Sequence, residues 1–203
     1  MRKIPPHITH IVGIDEAGRG PLAGPVAVGA FCIPVNFDRK FFIKVMDSKQ
    51  LSHEKREEWF NKIKDLQKKG EIQCKVALIG SETIDTQGIS YAVRLGIRRV
   101  LDRLKIDPEK TLVLLDGSLK APKEFIYQET IIKGDAKEPV IGCASIMAKV
   151  TRDCYMVRQA KIFPKYTFDI HKGYGTSLHR KSIKKLGPCS IHRLSFLKNL
   201  LNK

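Results

Sequence analysis

The sequence predicts an α/β fold: a mixed central sheet flanked by helices, with a basic helical C-terminal region. Three observations lead there. Short apolar runs of strand length alternate with longer stretches at helical spacing, in the order β-β-helix-β-helix-β-β-helix. Three of the apolar runs end in carboxylates beside glycine, the place where α/β sheets gather ligands. Cationic residues crowd the C-terminal part, with ten Lys or Arg from Lys161 to Lys203 against the single acid Asp169.

Residues 11–16 read as the first strand, since Ile11-Val12-Gly13-Ile14 is apolar and runs into Asp15 and Glu16. A loop containing Gly18, Gly20 and Gly24 follows. Val26 to Ile33 is then nearly all apolar, as a central strand must be. Ser52 suits an N-cap and opens a helix through about Lys69. Ile72 to Ile79 makes a third strand. Ile89, Ala92, Val93, Ile97, Val100, Leu101 and Leu104 share one helical face, with Arg94, Arg98, Arg99 and Arg103 on the other, and Pro108 closes that helix. Thr111 to Leu115 is a short strand ending at Asp116-Gly117, and Tyr127 to Ile132 another ending at Lys133-Gly134-Asp135. From about Pro139 to Lys161 the pattern is helical again and carries Lys149, Arg152 and Arg158. A loop around Tyr166–Gly175, a basic helix from about Ser177 to Leu186 and a short apolar helix complete the chain. With no repeat and no long linker, residues 1–203 are expected to form a single domain. Its α/β core would span about 11–160 and its basic helical part about 161–203.

The formal net charge of +16, from 37 basic and 21 acidic residues, favours a polyanionic partner whose counterions are released on binding. Five scattered cysteines without a C-x-x-C pair argue against a disulfide framework and a zinc site. They fit a reducing cytoplasm, with most of them serving as small buried side chains. No apolar stretch approaches the ~18 residues of a membrane span, and the N-terminus lacks a signal-peptide core. A cytoplasmic protein that binds no membrane is expected. With no heptad pattern and no apolar patch, a monomer is expected.

The chemistry concentrates where the first strand ends. Asp15 and Glu16 repel each other, so burying them near a strand end costs stability unless a cation sits between them. Gly18-Arg19-Gly20 then lets backbone N–H groups approach a ligand closely. Asp116 and Asp135 lie at two further strand ends, so three strands deliver four carboxylates. Oxygen ligands without a Cys or His pair select Mg²⁺ or Mn²⁺. Two such ions about 3.5–4 Å apart can stabilise both the attacking and the departing oxygen of a phosphodiester displacement. Lys49 and Lys149 have the reach to hold phosphates. His171, His179 and His192 lie in basic surroundings and are expected to touch backbone phosphates rather than act as general bases. Asp153 is the rival for fourth carboxylate, but inside a helix it would be satisfied by Lys149 one turn away or by backbone.

Seven blocks carry a specific resemblance: Gly13 to Pro21, Asp47 to Leu51, Leu115-Asp116-Gly117, Lys133-Gly134-Asp135, Ala144 to Asp153, His171 to Thr176, and His192 to Phe196. In this order they resemble the bacterial ribonuclease HII family, the type 2 ribonucleases H, from about residue 11 to 197. The resemblance implies a ribonuclease H-like fold and endonucleolytic cleavage of the RNA strand of RNA–DNA hybrids. It also implies incision 5′ to single ribonucleotides in duplex DNA, leaving 3′-hydroxyl and 5′-phosphate ends. By motif position Asp15, Glu16 and Asp116 would be the main metal ligands and Asp135 the fourth acid. Gly18, Arg19, Gly20 and Tyr174 would read the ribonucleotide.

Two positions depart from the family pattern. Met147 stands where a smaller aliphatic is common, and Leu194 where a basic residue is frequent. The chain ends soon after Phe196, so further C-terminal helices are expected to be minimal. A type 3 ribonuclease H would place a sizeable domain before the first strand, where only about ten residues stand. A non-catalytic basic duplex-binding module gives no reason for acids at three strand ends. A nucleotide-binding protein would need a P-loop or dinucleotide fingerprint that the glycine loop lacks.

Overall fold

Apolar residues facing both ways put β1 (His10–Ala17) at the centre of a five-stranded sheet, between β2 (Val26–Pro34) and β4 (Thr111–Asp116). β3 (Gln73–Ile79) and β5 (Gln128–Ile131) form the edges, giving the order β3-β2-β1-β4-β5. The β1/β2 and β2/β3 pairs are antiparallel, and β1/β4 and β4/β5 are parallel. The structure is a computed structural model that describes residues 4–42 and 52–201.

Seven helices accompany the sheet among the described residues: α1 (His53–Lys68), α2 (Ser81–Gln87), α3 (Ile89–Leu104), α4 (Pro139–Ile162), α5 (Phe168–His171), α6 (Ser177–Leu186) and α7 (Leu194–Leu201). The Ser52 hydroxyl caps α1 by accepting from the Lys55 N–H at 3.3 Å. Strand periodicity sorts the core into two layers. Val12 and Ile14 face α3, packing with Val93, Ile97 and Leu101. Ile11 faces the opposite side, with Ile141, Ala144 and Met147 of α4 and Trp59 and Ile63 of α1. Met147 therefore fills core, as a conservative swap should.

Helix α4 lies closer to the sheet than side chains would permit. A Cβ on Gly13 would fall 2.2 Å from the Val140 carbonyl carbon, and one on Gly29 of β2 would fall 2.3 Å from the Ala144 oxygen. Two glycines thus form the floor on which the helix backbone rests.

The expected elements are all present, and two features differ from the reading. Helix α2 contains one buried apolar residue, Ile84, so no periodicity announces it. Its Asp85 carboxylate accepts from the N–H groups of Leu194 and Ser195 at 2.8 and 2.9 Å, which caps α7. The stretch around Tyr166–Gly175 holds a 3-10 turn and the short helix α5, anchored by buried Phe168. No helix of the described residues is long and apolar enough to cross a membrane. Cys32, Cys74 and Cys143 are buried, as expected for most of the cysteines, whereas Cys154 is exposed.

Gly13→Ala should lift α4 from the sheet and destabilise the fold by about 3 kcal/mol. A lowered denaturation midpoint with unchanged denaturant dependence would show it.

Candidate active site

Ile14 pairs with Leu115 across the parallel β1/β4 ladder, so the next residues, Asp15 and Asp116, stand side by side on the α4 face. Gly29 is the cross-strand partner of Asp15 on β2, and its missing side chain lets α4 bring Ser145 onto the Asp15 carboxylate. Asp15 is 6% exposed and also accepts from the Glu16 N–H at 2.7 Å. Asp116 Oδ1 accepts from the Gly134 N–H at 2.6 Å, which ties the turn after β5 to the end of β4. Glu16 has the opposite parity and meets Arg19, with Nη1 3.1 Å from Oε1.

This placement is electrostatically unfavourable. Burial first, and then the charges of Glu16 and Asp116, push the Asp15 carboxyl up to about 7 against the lowering effect of Ser145. Glu16 is also raised, mainly by burial, while Arg19 pulls it back. Its Oε2 is buried without a hydrogen-bond partner. An orphaned anionic oxygen beside two further carboxylates fits a divalent cation. Among the described residues no three acids stand at ligand spacing. Mg²⁺ needs only one or two protein carboxylates and fills its remaining positions with water and phosphate oxygens. Asp135 lies exposed on the 3-10 turn Gly134–Ala136, and is not among the leading influences on Asp15 or Glu16.

The Gly18-Arg19-Gly20 loop leaves β1 beside these acids. Tyr174 faces it from the segment after α5, 41% exposed, with Lys149 Nζ and the Arg152 guanidinium each 5.6 Å from its ring centroid. The two segments are joined by the Leu22 N–H, which donates to the Gly173 carbonyl at 2.8 Å.

With the acids, the glycine loop and Tyr174 in place, a family model for Ribonuclease HII matches residues 12–199. The chain belongs to the ribonuclease HII family. It is 48% identical over 193 residues to the Ribonuclease HII of Caldicellulosiruptor bescii, covering 95% of this chain and 88% of that one. Among solved structures, the ribonuclease HII of Archaeoglobus fulgidus, determined in complex with PCNA, superposes at TM-score 0.73 with 25% identity, covering 91% and 93% of the two chains. The ribonuclease H2 of Pyrococcus horikoshii gives 0.71 and 26%, covering 95% and 97%. The fold is that of the ribonuclease H-like enzymes, and ribonuclease HII is an endoribonuclease acting on RNA–DNA hybrids with a divalent metal ion. That sets aside a non-catalytic duplex-binding module.

Lys49, with the Asp47 to Leu51 block, lies outside the described residues. Lys149 is held by Asp153 at 2.8 Å, one turn along α4, which satisfies Asp153 as expected. The histidines are a correction. His171, His179 and His192 are buried, at 6%, 0% and 2% exposure, with His179 Nε2 3.1 Å from His192 Nε2 and the His171 and His179 rings stacked at 4.2 Å. Burial pulls all three below the ordinary imidazole value, His179 and His192 to about 4, so these rings are neutral props behind Tyr174 and not phosphate contacts. Arg193 likewise points inward, whereas Leu194 beside it is exposed.

Three residues near the site went unread: Ser145, Arg152 as a buried group, and Arg193. A signal existed for two of them. Ser145, Lys149, Arg152 and Asp153 form a polar stripe at helical spacing on an otherwise apolar helix.

Because folding raises the Asp15 pKa, the metal-free fold holds that proton more tightly than the unfolded chain. Its stability therefore falls as pH rises from about 4 to about 7. In chelator at pH 8, Asp15→Asn should be more stable than wild type, by at most about 4 kcal/mol. The gain should vanish toward pH 4 in thermal melts.

Proposed function

We propose that this chain also incises duplex DNA 5′ to single embedded ribonucleotides, leaving 3′-hydroxyl and 5′-phosphate ends, with Mn²⁺ or Mg²⁺ as cofactor. The observation that carries the reading is the partnerless buried Glu16 Oε2 next to the perturbed Asp15 carboxyl, at the ends of parallel strands. Asp15, Glu16 and Asp116 would hold the metal, with Asp135 reaching in from its turn as the fourth acid. The chemistry supplied when such an ion binds is Lewis-acid stabilisation of the phosphate and a hydroxide available at neutral pH.

The chain's own groups do the rest. Ser145 holds the Asp15 carboxylate in place, and the Gly134 N–H does the same for Asp116. The 2′-hydroxyl alone distinguishes one ribonucleotide in DNA, and close-packed backbone at Gly18, Arg19 and Gly20 suits it. Tyr174 offers a half-exposed ring to stack on the sugar or next base. Lys149, fixed by Asp153, lies beside that ring where a backbone phosphate would pass. A 230 Å³ recess also reaches Arg19, with Arg94 and Lys120 as further cations over an apolar floor of Val93, Ile97 and Leu119. We read residues 1–203 as one catalytic unit, acting as a cytoplasmic monomer.

A labelled duplex with one ribonucleotide tests this against an all-DNA control. Metal-dependent incision 5′ to the ribonucleotide is expected, reduced at least about a hundredfold by Asp116→Asn. Tyr174→Ala should lower kcat/KM on the same duplex by about tenfold, as expected for one lost stacking contact.

A further inference from the structure

Among the largest side chains that lose all contact with solvent are two arginines, Arg152 on α4 and Arg193 just before α7. Among the described residues no carboxylate forms an ion pair with either. Burying charge in this way is unfavourable, and apolar residues of similar volume would pack with less penalty. Each of the three nitrogens of both guanidiniums instead donates to a backbone carbonyl, in the loop between β1 and β2 or at Lys172. Arg193 donates through Nη2 to Gly18 O at 2.7 Å, through Nη1 to Arg19 O at 2.8 Å and through Nε to Gly24 O at 2.9 Å. Arg152 donates to Pro25 O at 2.8 Å, Ala23 O at 3.1 Å and Lys172 O at 3.0 Å.

The consequence follows from peptide geometry. In a trans peptide the C=O and the next N–H point in opposite directions. Drawing the Gly18 and Arg19 carbonyls inward turns the N–H groups of Arg19 and Gly20 outward. Among the described residues neither of these amides has an acceptor, although the Leu22 and Gly24 amides further along the loop are both bonded at 2.8 Å. Nothing lies within 4 Å of where a Gly20 side chain would begin, so a ligand can approach. At Gly18, with φ +89°, Arg152 Nε sits 2.1 Å from where a Cβ would be. The arginine occupies the space that glycine vacates.

We propose that Arg193, backed by Arg152, is the positioning residue for ribose recognition, holding the Arg19 and Gly20 N–H groups as a preset pair of donors to the 2′-hydroxyl oxygen. This rests on the reading in which Gly18, Arg19 and Gly20 contact the ribonucleotide. Arg152 extends the arrangement to the other reading element through Lys172 O and the Tyr174 ring. A 2′-deoxy sugar would leave both donors unpaired, the most discriminating kind of mismatch.

The test compares wild type with Arg193→Lys, which keeps the charge and loses the fork. Incision of the single-ribonucleotide duplex should fall about tenfold or more in kcat/KM, while the Kd for the all-DNA duplex stays within about twofold. Unchanged incision, or equal loss on both readouts, overturns the inference. A wild type that treats the two duplexes alike overturns the underlying reading and this inference with it. A wild type that distinguishes them, beside an Arg193→Lys variant that does so equally, overturns this inference alone. Backbone ¹⁵N relaxation of the free wild type decides the matter even if the variant does not fold. Order parameters of about 0.85 at Arg19 and Gly20 are expected, and values below about 0.6 would overturn a preset donor pair.

Discussion

The close seating of α4 on Gly13 and Gly29 is the constraint from which the site follows. Without those two glycines the helix backbone would stand off the sheet by the thickness of a side-chain layer. Ser145 would then not reach Asp15, and the stripe from Lys149 to Asp153 would lose its place beside the glycine loop. A single helix thereby supplies a support for the Asp15 carboxylate, a cation beside Tyr174, and a clamp for two loops. Packing in the core and chemistry at the strand ends are one arrangement.

That arrangement works against stability in two places of opposite sign. Carboxylates stand next to one another at the ends of β1 and β4, and guanidiniums are buried with no ion pair among the described residues behind the loop that follows β1. Each is unfavourable in isolation, and each becomes useful when a ligand arrives. A divalent cation bound as proposed would relieve the acids, whereas the arginines align backbone groups through their carbonyl bonds. The neutral histidines His171, His179 and His192 add a third, uncharged support behind Tyr174, where His179 Nδ1 lies 2.9 Å from the Tyr174 carbonyl.

Much of this was readable in the residues. Apolar runs located β1 to β4, and Ser177 to Leu186 matched α6 at both ends because its cap and closing glycine are explicit. Acids at strand ends pointed to Asp15 and Asp116, which the β1/β4 ladder sets side by side, although only family resemblance ranked them, and Asp135 remains exposed on its turn. Helix α2 stayed hidden because a seven-residue helix with one buried apolar side chain has no period to detect. The histidines misled for a different reason. Their sequence neighbours are basic, but burial is set by Phe168 and Tyr166, which fold the segment inward. Arg152 and Arg193 looked like surface cations because composition cannot show that a guanidinium's partners are distant carbonyls.

In the proposed reaction water, activated at the buried acids, breaks the phosphodiester on the 5′ side of the ribonucleotide. The ribose's own 2′-hydroxyl adjoins its 3′-phosphate and cannot serve that bond. Mass spectrometry of the cut ends of a single-ribonucleotide duplex separates the two routes. Attack by water leaves a 3′-hydroxyl on the upstream DNA and a 5′-phosphate on the ribonucleotide, the result expected. A 2′,3′-cyclic phosphate on the ribonucleotide would contradict it.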